Sequence, residues 1–204
     1  MRAILTLLLG LLLVCGAWAD QLKPVDNTAE APDFEAFRTK LLQAVRDHDA
    51  AFFRERSRGA KVSFGMETSL DEMYKLDDPQ DEFWKILSRM IELGGYYEAD
   101  HAMVYYPYLY AKFPENLDSY EYVVVTGEHV NLRAEPSLSA AVVGQASYDL
   151  LKVVEWSDPW VKVQRPDGSA AYVHKDLVYS PVGHRMGLKK KDGRWMITFL
   201  VAGD

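Results

Sequence analysis

Val130-Asn131-Leu132-Arg133-Ala134-Glu135-Pro136-Ser137 opens the stretch that decides the fold, and Trp160-Val161-Lys162-Val163, Pro166-Asp167-Gly168 and Tyr172-Val173-His174 come after it in order. Val130 and Leu132 alternate with Asn131 and Arg133, the two-residue period of a strand with one apolar face. Pro136 has no amide proton to give to a neighbouring strand and ends the pairing. Residues 120–125, 142–146, 150–156, 160–164 and 170–173 are short runs rich in β-branched and aromatic side chains. Thr126-Gly127, Ser157-Asp158-Pro159 and Pro166-Asp167-Gly168 supply turns between them. Many short strands at regular spacing predict a small barrel or sandwich over residues 120–180.

The order and spacing of these blocks resemble the bacterial SH3-type (SH3b) domain, a small barrel found on envelope proteins, over about 60 of the 204 residues. The chain departs from that pattern at Tyr148-Asp149 and at Ala171, where the family usually has glycine. Lys61-Val62-Ser63-Phe64-Gly65, Leu93-Gly94-Gly95 and the ending from Asp192-Gly193-Arg194-Trp195 to Ala202-Gly203-Asp204 are also similar to a family of secreted bacterial proteins that carry an SH3-type domain. The resemblance implies a binding module of the cell envelope, contacting wall peptide, glycan or a protein partner.

Upstream of residue 120 the period is helical. Phe34, Phe37, Leu41, Val45, His48 and Phe52 recur at three- and four-residue spacing behind Asp33, which predicts one long amphipathic helix capped by Asp33 and ended by Arg58-Gly59. Lys61 to Gly65 reads as a short strand. Asp78-Pro79 predicts the start of a second long helix, with Phe83, Ile86, Leu87, Met90 and Ile91 on its buried side and Gly94-Gly95 at its end. Tyr96 to Asp118, with Tyr106-Pro107-Tyr108-Leu109-Tyr110 at its centre, reads as an ordered connection and an aromatic seam between two domains.

At the tail, Asp192-Gly193 joins two β-patterned runs, a two-residue hairpin signal. The predicted register sets Lys190 opposite Trp195, Leu188 opposite Ile197 and Met186 opposite Phe199. One face then carries Met186, Leu188, Trp195, Ile197, Phe199 and Val201, too apolar to stay exposed. The expected fold is therefore α+β: a helical domain of residues 33–118 with 183–204, joined to an SH3-type barrel of residues 120–180 as an insertion.

Ile4 to Val14 is an apolar run broken only by Thr6 and Gly10, and Ala17-Trp18-Ala19 fits the small-x-small cleavage rule. Residues 1–19 read as a secretory signal peptide cut between Ala19 and Asp20, with a flexible leader after it to residue 32. The run is short of the roughly 20 apolar residues of a spanning helix, and no later stretch is a transmembrane candidate. Val14 before Cys15 departs from the lipobox pattern, which makes a lipoprotein the lesser reading. Cys15 is the chain's one cysteine, so the processed chain has no thiol for a disulfide, a metal or nucleophilic attack. Loss of Arg2 takes the net charge from −7 to −8, which argues against nucleic acid as a partner.

No His-Glu-x-x-His, Gly-x-Ser-x-Gly or phosphate-binding glycine motif occurs. No metal, cofactor or catalytic residue is assigned, and the expected function is binding rather than catalysis. The alternative is a small-molecule or hydrolytic pocket in the α+β domain, built from its carboxylates and tyrosines. The candidate ligand-binding residues are Arg133, Tyr148, Asp149, Trp160 and Tyr172. They would form a groove between the Arg133–Ser139 loop and the Tyr148-Asp149 loop. There Arg133 would fork onto an acidic group, Tyr148 would stack on a sugar or apolar face, and Asp149 would select a basic or amide partner.

Overall fold

A computed structural model describes residues 21–64 and 68–203. The expected signal peptide and its expected cleavage point, Gly65 of the expected Lys61–Gly65 strand and the terminal Asp204 lie outside the described residues. The fold is α+β, with helices and two antiparallel sheets.

The first helical stretch is two helices, α1 (Phe34–Arg46) and α2 (Ala50–Arg56), where the periodicity predicts one. The break has a local cause. His48 takes a left-handed conformation (φ 53°), and the Asp49 side chain accepts a hydrogen bond from the Phe52 amide at 3.0 Å, which caps a new helix. The turned chain sets the His48 ring 5.0 Å from Trp84. Asp33 also departs from expectation: it makes no side-chain cap and instead pairs with Lys190 at 2.8 Å. α3 (Leu70–Met73) carries a Ser69/Glu72 capping box. α4 (Glu82–Glu92) starts later than Asp78-Pro79 predicts. Its cap is Asp81, whose carboxylate accepts from the Phe83 amide at 3.0 Å, while Asp78 takes the Gln80 amide in the preceding turn.

Tyr96 to Tyr106 is a hairpin rather than a connection: β1 (Tyr96–Glu98) pairs with β2 (Met103–Tyr106). The short helix α5 (Tyr108–Lys112) comes next. The SH3-type segment contributes β3 (Tyr122–Val125), β4 (Val130–Arg133), β5 (Val142–Ala146), β6 (Leu150–Ser157), β7 (Trp160–Gln164), β8 (Ala170–His174) and β9 (Val178–Tyr179). The tail hairpin is β10 (Arg185–Lys191) and β11 (Arg194–Val201).

The tail does not pair with β9. The four-stranded sheet has the order β1-β2-β10-β11, with Leu188 opposite Val104 and Met186 opposite Tyr106. Trp195 stands edge-on to Phe34 at 4.8 Å, and one core joins α1, α2, α4, β2, β10 and β11 through Phe34, Phe53, Phe83, Val104, Leu188 and Ile197. Lys61 forms a single parallel bridge to Phe199 in place of the expected strand. Its two backbone bonds, to Thr198 and Leu200, each 2.9 Å, cover the open edge of β11.

The tail register holds as far as Leu188–Ile197 and then shifts. A bulge leaves Thr198 unpaired, its hydroxyl donating to the Gly187 carbonyl at 3.0 Å. One extra residue reverses the facing of the strand beyond the bulge. Gly187 rather than Met186 meets Phe199, and Leu200 turns into the core opposite Met186. Phe199 lies instead on the other face, with Tyr105 and Tyr110 at 6.3 and 6.1 Å. The glycine is required there: a Cβ at Gly187 would stand 2.3 Å from the Phe199 ring.

The seven remaining strands run β5-β4-β8-β7-β6-β3-β9. Ala146 of one edge strand and Val178 of the other share a core with Leu132, Leu151, Val161 and Val173, so the sheet curls on itself. Tyr108 and Leu109 of α5 pack with Val124 and Leu150 in a third cluster between the two sheets. Arg89 of α4 fastens the same seam, donating to the Thr126 hydroxyl at 2.9 Å and the Asp176 carbonyl at 2.8 Å.

Candidate functional site

The outer face of the curled sheet results from strand alternation. Val161, Val163, Ala171 and Val173 are fully buried, which turns Lys162, Tyr172 and His174 outward. The registers set Arg133 of β4 opposite Tyr172 of β8, Tyr172 opposite Lys162 of β7, and Lys162 opposite Glu155 of β6. A row of cation, aromatic ring, cation and carboxylate thus crosses four adjacent strands. The Lys162 ammonium lies 5.9 Å from the Tyr172 ring centre, at the limit of a cation–π contact. Arg133 donates to the Ala140 carbonyl at 2.8 Å. That bond ties down the 134–141 loop and uses one arm of the guanidinium fork. It goes to neither Glu135 nor Asp149.

Trp160 does not take the ligand-facing place expected of it. It is 8 % exposed, with its ring edge-on to His174 at 5.3 Å. The indole serves packing at the start of β7, beside the end of β8, where Trp160 pairs with His174.

Tyr148 and Asp149 do not join Arg133. In the β4–β5 hairpin Val130 faces Ala146 and Arg133 faces Val142. The 134–141 loop is therefore at one end and Ser147 to Asp149 at the other, about 13 Å away for four residues of strand rise. No single groove runs between the two loops. The departure from glycine at Tyr148 is accommodated in a left-handed turn (φ 60°). Its amide donates to the Gly127 carbonyl at 3.1 Å, and its carbonyl accepts from the Leu22 amide at 2.8 Å. Asp149 is 1 % exposed, so it is no selector for an outside partner. Its carboxylate accepts from the Ser147 amide at 2.6 Å, Gln21 lies beside it in a bridge, and burial pushes the carboxyl above its ordinary range. The leader fastens this turn, because the Leu22 carbonyl also accepts from the Tyr108 hydroxyl at 2.5 Å.

Of the five candidates, the structure brings Arg133 and Tyr172 together. Lys162 completes the row and is absent from the expected set, although it stands at the outward position of Trp160-Val161-Lys162-Val163 and the same alternation marks it. Among the described residues no group of three or more His, Cys, Asp or Glu side chains is placed to hold a metal ion, and no helix is long and apolar enough to cross a membrane.

No curated protein and no solved structure matches the chain. The model of the bacterial SH3 domain matches residues 128–179, from the turn before β4 to the last residue of β9. The chain therefore carries a bacterial SH3 domain, and the Arg133–Tyr172–Lys162 row lies on its outer face.

Proposed function

We propose that the protein is an exported, non-catalytic binding protein of the bacterial cell envelope, whose SH3 domain contacts wall peptide, glycan or another envelope protein. The observation that carries this reading is the family match on residues 128–179 together with the row that it contains. Tyr172 offers a ring on which a sugar or peptide plane stacks. Arg133 and Lys162 flank it as donors to carboxylates, which suits an acidic ligand. The apolar run Ile4–Val14 and the Ala17-Trp18-Ala19 site support export.

Co-sedimentation with purified sacculi tests the proposal. Tyr172→Ala is expected to weaken binding at least tenfold, and Arg133→Ala and Lys162→Ala by less, with a reduced dependence on salt. Circular dichroism should be unchanged in all three. Undiminished binding by Tyr172→Ala would move the contact off this face. Failure of the parent protein to sediment would leave an envelope protein as the partner, to be sought by cross-linking through Tyr172.

A further inference from the structure

A cleft of about 760 Å³ opens at the seam, between α4 and the segment from Lys175 to His184. Its wall on the α4 side is Glu82, Lys85, Ile86 and Arg89, and its far wall is Lys175, Asp176, Val178 and Tyr179, with His184 also lining it. The size suits a small ligand, and junctions between folded units are common places for one.

Most charges on this rim are committed to the fold. Arg89 holds Thr126 and the Asp176 carbonyl. Lys175 pairs with Asp158, and the Asp176 carboxylate lies 3.4 Å from the His174 ring. Glu82 and Lys85 are different. They stand three residues apart on α4, on the same side as Ile86 and Arg89. Neither makes a hydrogen bond or ion pair with any described residue, including each other. An anion and a cation are thus held about 5–6 Å apart at their roots, facing a cavity, with the apolar Ile86 and Val178 in the same walls. His184 adds polar capacity. The Tyr179 hydroxyl donates to its carbonyl at 2.5 Å and fixes the backbone, and its Nε2 is 3.5 Å from the Tyr74 hydroxyl. Burial, opposed by the nearby Glu82 charge, holds the imidazole below its ordinary value of 6.5, so near neutral pH the ring is uncharged. With Nε2 against Tyr74, one ring nitrogen is left for a peptide group.

We propose that this cleft binds a short peptide with free termini, its ammonium group against Glu82, its carboxylate against Lys85 and its backbone against His184. An extended dipeptide spans about 7 Å, comparable with the roughly 5–6 Å between the roots of Glu82 and Lys85. The site is distinct from the SH3 outer face and does not depend on the reading of that face.

Isothermal titration of the purified protein with L-alanyl-L-alanine, its N-acetylated form and its C-amidated form tests the proposal. Saturable binding of the free dipeptide is expected, weakened about tenfold by either block. Glu82→Gln should erase the difference between free and acetylated dipeptide while keeping that between free and amidated, and Lys85→Met should do the reverse. Ile86→Trp, which adds bulk to the α4 wall of the cleft from a half-buried position, should abolish binding, with an unchanged circular dichroism spectrum as the check that the chain is folded. Tyr172→Ala should leave dipeptide binding intact, which separates this site from the wall-binding proposal. Absence of binding by alanyl-alanine and by its lysyl and glutamyl counterparts overturns the inference. So does binding that survives Ile86→Trp, or that loses both discriminations together in either charge variant.

Discussion

The two sheets reach their cores by opposite routes. Strands β3 to β9 come from one uninterrupted stretch, residues 122–179, and every strand meets its partners inside that stretch. The four-stranded sheet takes β1 and β2 from residues 96–106 and β10 and β11 from residues 185–201, with the whole SH3 segment between them. A contiguous sheet has short loops to close. The divided sheet must bring its halves together across an intervening segment, which costs more chain entropy before any contact repays it. The tail hairpin is therefore the keystone of the helical region and peripheral to the SH3 segment.

Trp195→Ala puts the most strain on that distinction. Trp195 is 5 % exposed against Phe34, and truncation of such a residue typically costs about 3–5 kcal/mol. Calorimetry should show the helical region melting early while a transition belonging to the SH3 segment stays in place. A single transition moving as a whole would show instead that the seam around Tyr108 and Arg89 makes the two regions one cooperative unit.

Gly187→Ala probes the bulge within the divided sheet. The new Cβ displaces the Phe199 ring, with an expected loss of about 1–3 kcal/mol from overpacking. Adding Phe199→Ala should return part of that loss, measured as a shift in the urea midpoint, because the clash goes with the ring. An additive double variant would locate the strain elsewhere.

His184 sits where the chain leaves β9 for β10, so its titration reports on the junction. Its folded-state pKa lies below 6.5 because burial disfavours the charged ring. Between the folded value and 6.5 the unfolded chain binds more protons. The stability from neutral His184 is therefore complete above about pH 6.5 and declines as pH falls through that window. His184→Gln should flatten this decline in thermal midpoints taken from about pH 7.5 to 5. An unchanged slope would assign the acid sensitivity to another group.

The smallest expected effect is that of Arg133→Ala on stability. Its hydrogen bond goes to a loop carbonyl on the surface, so a loss of about 1 kcal/mol or less is expected in the same urea titration. A larger loss would mark Arg133 as a support of the 134–141 loop and weaken its claim to a ligand.

Local patterning was enough to set the strands of the SH3 segment, because alternation at a period of two needs only near neighbours, and Val161, Val163, Ala171 and Val173 face inward as their spacing demands. It was also enough to show that the Met186–Val201 hairpin needs a cover, since an isolated ribbon cannot leave Trp195 and Ile197 in water. The outward place of Tyr172 and Lys162 was legible for the same reason. Other features arose only when distant segments packed together. The stripe from Phe34 to Phe52 keeps its period through His48, and only packing against Trp84 and the Asp49 cap make that point a turn. The reversal at Thr198 depends on Phe199 finding space over Gly187. Tyr148 and Asp149 look like loop residues beside a groove, yet the leader at Gln21-Leu22 crosses from more than a hundred positions away and closes over them. The seam cleft gathers Glu82 and Lys85 with Val178 and His184 from segments far apart in the sequence. A linear pattern carries the facing of a residue within its own strand or helix, because that is set by local backbone geometry. It does not carry which distant segment arrives to cover that residue, and here that arrival decides which candidate side chains stay open to a ligand.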